Sequence, residues 1–170
     1  LNTLVGGTAT AVLSGAFGLT KTGNGVLALN PLTAGTLSNS NNSLTIGGAP
    51  LATAANQTSG VSGGTVSTTA TGGTVFGTGA VTLNGGVISL MGGTSAQAIT
   101  ISTLNYGGGS QIQLTGSIST STLAATALTR NNLGTLTLLL TGNTANFGTL
   151  GTGSLRVTTG SALAVASGML

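Results

Sequence analysis

The sequence predicts an all-β fold, a parallel β-helix or solenoid with glycine corners, built as a single domain over residues 1–170. Three observations predict it. Short apolar–polar alternations recur along the chain, glycine pairs punctuate them, and charged residues make up only 2% of the sequence. Period-two alternation places every second side chain on one face of a strand, whereas a helix repeats its apolar residues three and four positions apart. Gly and the β-branched residues are poor helix formers, and Glu, a strong one, does not occur.

The alternating runs fall at 26–29, 44–46, 81–83, 87–90, 99–101, 112–114, 136–138, 155–157 and 163–165. Between them lie the pairs Gly6/Gly7, Gly47/Gly48, Gly63/Gly64, Gly72/Gly73, Gly85/Gly86 and Gly92/Gly93, and a triplet at 107–109. Glycine tolerates positive φ, so these pairs read as corners at which the chain bends into another short strand. A strand of three or four residues cannot bury its apolar face alone; stacked rungs can, and that makes a solenoid. With rungs of roughly 20 residues the chain would form on the order of eight. The stretch 30–64 is rich in Asn, Ser, Ala and Thr, carries Pro31 and Pro50, and is expected to leave the body as a loop or flap. The competing architecture is a pilin-like antiparallel β-sandwich completed by a neighbour's donor strand, and strand direction separates the two.

Composition sets the chemistry. The aromatics are Phe17, Phe76, Tyr106 and Phe147, so the core must be aliphatic. Asp, Glu, His and Cys are all absent. General acid–base catalysis, two-carboxylate glycoside hydrolysis and metal ligation lose their usual groups, so no catalytic residue, cofactor or metal is expected and the chain is read as a non-enzyme. A Ser–Lys nucleophile would have to use Lys21; a solvated lysine at a strand entry is the plainer reading. Arg130 and Arg156 have no carboxylate partner in the chain and must face water, a backbone carbonyl or another molecule. These three scattered cations give no nucleic-acid footprint. The glycine-rich segments lack the Lys-Ser/Thr that completes a phosphate loop, and Tyr106 is expected to cover the corner at 107–109. No run of apolar residues is long enough for a membrane-spanning helix, and four aromatics cannot furnish the two girdles of a membrane barrel.

Two stretches align at an offset of 109 positions: residues 19–29 (LTKTGNGVLAL) and 128–138 (LTRNNLGTLTL). Each places a cation, a glycine and then alternating leucines. Residues 77–83 and 151–157 make a second pair. In these positions the sequence resembles the autotransporter-associated β-strand repeat of bacterial surface proteins, approximately Leu-Thr-Lys-x-Gly-x-Gly-x-Leu-x-Leu followed by Gly-x-Leu-x-Val. Residues 19–29 match best; 128–138 followed by Gly142, Asn143, Phe147 and Gly148 is a weaker unit, with Asn132 where Gly is usual and Phe147 where Tyr is frequent. Residues 153–165 are similar to the closing strands. The resemblance, over about half the chain, implies a secreted, surface-exposed, right-handed β-helix.

These readings lead to a structural or adhesive protein of the extracellular space or bacterial surface that self-assembles as a homo-oligomer or filament. The chain opens at Leu1 with neither an initiator Met nor a basic segment before an apolar run, so a signal peptide is expected to have been removed or to lie outside this sequence. The apolar segment 4–19, with Leu4, Val5, Val12, Leu13, Phe17 and Leu19, is the expected subunit-docking element. Asn41 and Asn56 stand in Asn-x-Ser/Thr sequons and are candidate glycosylation sites. A carbohydrate- or ice-binding face made from threonine rows, suggested by Thr135-Leu136-Thr137, is the alternative function, with surface glycans as its partner.

Overall fold

A computed structural model describes residues 7–9, 12–47, 63–91, 95–115, 121–131, 134–141, 145–147 and 155–159. No helix occurs among them, and so none long and apolar enough to cross a membrane. The strands in chain order are β1 (Gly7–Ala9), β2 (Gly18–Lys21), β3 (Val26–Leu29), β4 (Ser43–Gly47), β5 (Thr65–Thr68), β6 (Gly72–Gly73), β7 (Ala80–Asn84), β8 (Val87–Met91), β9 (Gln97–Gly107), β10 (Gly109–Thr115), β11 (Ser121–Arg130), β12 (Thr135–Thr141), β13 (Ala145–Phe147) and β14 (Leu155–Thr159).

They stack as two sheets. One runs β1-β3-β5-β8-β10-β12; the other runs β13-β14-β11-β9-β7-β4-β2, with β6 also beside β9. The chain alternates between the sheets, each strand lying on an earlier one in parallel, so the body is a β-solenoid of about four turns. Parallel pairing rules out the antiparallel sandwich. Among the described residues β13 and β14 depart from the pattern: β14 pairs antiparallel with both β11 and β13.

Register explains the core. In the first sheet the inward column is Leu27, Val66, Ile88, Ile112 and Leu138; in the second it is Leu19, Leu44, Val81, Leu104 and Leu128. Every member from Leu19 to Ile112 is buried, and Leu128 and Leu138 pack against the cluster while half-buried. Alternation at each strand therefore becomes two facing aliphatic ridges, at about 4.8 Å per rung. The interior admits few rings: Phe76 is buried, and Tyr106 is half-buried against the core, in the column of Lys21, Ile46, Leu83 and Arg130.

Several expectations are corrected. Rungs are longer and fewer than eight: Val66, Ile88, Ile112 and Leu138 are 22, 24 and 26 positions apart. The offset-109 alignment places Leu19 with Leu128 and Lys21 with Arg130 in common columns, but slips after the corner, where Leu27 shares its column with Leu138 rather than Leu136. The pair 77–83 and 151–157 is no rung repeat, since β7 runs parallel in the body and β14 runs antiparallel. Within the stretch 30–64 expected as a loop or flap, Thr36 bridges to Gly72 and β4 is a body strand, while 48–62 lie outside the described residues. The Gly47 and Gly63 backbones touch: a Cβ on Gly63 would overlap Gly47. Pro50, Asn56, Leu4, Val5 and the run 163–165 lie outside the described residues.

Candidate functional site

Lys21 does not face solvent. It is 0% exposed, the largest fully buried side chain among the described residues. Alternation along β2 turns it inward beside Leu19, and the chain then bends so that its Nζ donates to the carbonyls of Thr22 and Gly23, each at 2.7 Å. Burial without a counter-ion pushes the ammonium below its ordinary value of 10.5. The same corner receives Gly64, whose φ is +68°; a Cβ there would lie 2.5 Å from the Gly25 carbonyl oxygen and 2.6 Å from Lys21 Nζ. Lys21 thus seals the seam where the chain re-enters the body. Both of these partners are backbone carbonyls, so the amine acts here as a structural donor. At the other end of its column, Arg130 Nε donates to the Gly134 carbonyl at 2.8 Å, a backbone partner of the kind its lack of carboxylates requires.

The segment expected to dock divides. Val12 is 58% exposed and Phe17 38%, Leu13 is half-buried against the core, and Leu19 is 2% exposed as a core residue. Leu19 is therefore withdrawn from any docking face, because β2 is a rung in its own right. Asn41 is likewise no outward acceptor: it is 1% exposed, and its Nδ2 donates to the carbonyls of Ser43 at 3.0 Å and Phe76 at 3.3 Å. A glycan on Asn41 would require that side chain to leave the fold. Asn39 plays a related part, accepting from Leu13 N at 2.9 Å and donating to the Val75 carbonyl at 2.6 Å, so one amide ties three successive rungs.

Outward positions carry hydroxyls. On the second sheet, Thr20, Thr45, Thr82, Asn105 and Thr129 form one column across five rungs. By contrast Thr135 and Thr137 are exposed but follow Gly109 and Gln111, so the Thr-Leu-Thr motif starts no threonine row.

Beside that column lies a groove of about 490 Å³. It arises where β9 passes β6 with its first half and β7 with its second, while residues 74–79 loop between. Val75 and Phe76 turn into the core, which throws Thr74 and Thr78 outward. Thr100, Ser102 and Thr126 complete the hydroxyl lining, with Gly73, Gly77 and Ala98 as its smooth parts. Thr74 Oγ1 donates to the Asn39 carbonyl at 2.7 Å and Ser102 Oγ to the Gly79 carbonyl at 2.9 Å. Among the described residues, no charged side chain lines it.

Comparison with family models, curated proteins and solved structures returns no match.

Proposed function

We propose that this chain is a structural, adhesive module of an extracellular or bacterial surface protein that assembles with copies of itself into filaments. The observation that carries this reading is the state of the terminal strands. Among the described residues, β1 and β12 each pair on one side only. Free strand edges template further pairing unless charge or proline blocks them. β1 and β12 contain neither, and the one cation of β2, Lys21, is buried where it cannot act as a guard. A continuous aliphatic interior ending in half-buried Leu136 and Leu138 adds apolar surface for the next rung to cover. The partner is a second copy, and the resemblance of residues 19–29 to the autotransporter-associated repeat supports a surface location.

Electron microscopy of the purified protein is the test. Filaments are expected, and Thr137→Lys, which adds a charge to an exposed position of β12, is expected to suppress them. Monomers that persist at high concentration would overturn the reading.

A further inference from the structure

We propose that the groove between residues 74–79 and strands β9 and β11 binds a neutral polysaccharide chain. Its lining excludes ionic ligands first. An acidic polymer would need a cluster of cations, yet of the chain's three, Lys21 is buried, Arg130 is bonded to its own corner carbonyl, and Arg156, paired opposite Ala124 on β11, is a single charge; a cationic ligand would need side-chain carboxylates, which the sequence lacks. The polarity of the wall then selects for a donor-rich ligand. Thr74 and Ser102 have spent their hydroxyl hydrogens on carbonyls of Asn39 and Gly79, so their lone pairs are what they offer outward. Thr100 and Thr126 are exposed, with no hydrogen-bond partner among the described residues, so they can both donate and accept. Sugar hydroxyls, themselves donors and acceptors in dense array, match that set.

Size and shape agree. A space of about 490 Å³ lies within the range that takes small organic ligands, and the groove spans hydroxyls from three successive rungs, suiting an elongated chain over a compact one. Threonine methyls, Ala98 and the glycines supply smooth apolar contact for the C–H faces of a pyranose ring. No aromatic lines the groove, so stacking is absent and affinity should be weak, on the order of millimolar per site; repetition along an assembled surface would raise the avidity.

The test uses the full chain and NMR titration with hexasaccharides of glucan, mannan, xylan and polygalacturonate. At least one neutral hexasaccharide should shift the Thr100 and Thr126 signals, and polygalacturonate should not. Thr100→Val and Thr126→Val replace an exposed hydroxyl by a methyl of equal shape; each should weaken binding by about threefold to tenfold. Thr20→Val, outside the groove, should leave it unchanged. Circular dichroism of each variant shows that the fold is retained. Failure of every neutral oligosaccharide to bind, binding confined to polygalacturonate, equal losses in Thr20→Val, or inhibition of ice growth that depends on Thr100 would each overturn the proposal. None of these outcomes bears on filament formation.

Discussion

Acid should leave this protein almost untouched. In an ordinary fold, a carboxylate held at low pKa by its partners contributes about 2.6 kcal/mol that vanishes as it is protonated. Here Asp, Glu and His are absent, so from pH 7 to pH 2 the backbone C-terminus is the principal group to titrate and the net charge barely grows. The expected loss of unfolding free energy is below about 1 kcal/mol, which for a chain of this length moves the melting temperature by no more than about 4 °C. The alkaline side has a slope of its own. Because burial lowers the Lys21 ammonium from 10.5, the folded chain releases that proton before the unfolded chain does. Between the folded and unfolded values the unfolded state binds more protons, and stability rises with pH through that window; below it, the cost of burying the charge is borne in full. Melts followed by circular dichroism at fixed ionic strength, from pH 2 to pH 11, read both limbs. The profile should be flat in acid and climb in alkali, and Lys21→Met, which keeps an apolar stem and removes the titrating group, should lose the climb. A drop of more than about 10 °C between pH 6 and pH 2, or an alkaline climb that survives in Lys21→Met, refutes the reasoning.

Three further outcomes follow from packing. Leu104→Ala, fully buried in the second inward column, should cost between about 2 and 5 kcal/mol in urea unfolding, and Leu128→Ala, half-buried next to it in the same column, distinctly less. Gly64→Ala should cost at least about 2 kcal/mol, since φ of +68° disfavours an L side chain and the new Cβ meets the Gly25 carbonyl and Lys21 Nζ. Asn39→Ala strips partners from Leu13 N and the Val75 carbonyl and should cost about 2 to 4 kcal/mol; hydrogen exchange should show the Leu13 amide losing protection first.

Alternation and glycine spacing made the parallel coil legible, and they placed most body strands, because both signals are local. The shared cation of residues 19–29 and 128–138 even predicted a true column, Lys21 with Arg130. What failed was long-range. Strand β11 escaped notice because Leu-Ala-Ala-Thr-Ala-Leu alternates weakly, and only its pairing along β9 makes it a strand. Lys21 read as solvated because nothing in its neighbours signals burial; its two carbonyl partners exist only once the corner closes. Asn39 and Asn41 looked like loop residues or a sequon, and face inward because the backbone of later rungs supplies their partners. The groove could not be read at all, since Thr74, Thr100 and Thr126 are brought together by rung lengths that the sequence does not state.

The contact between Gly47 and Gly63 has an architectural meaning. Leu44 and Val81 are stacked neighbours although 37 positions separate them, and within that span the backbones of Gly47 and Gly63, 16 positions apart in sequence, meet. Such a seam works as a socket: material of arbitrary length can be spliced in there, provided its ends come together, while the register above and below stays as it was. A coil of this kind is free to acquire new appendages at its corners without having to redesign its shaft.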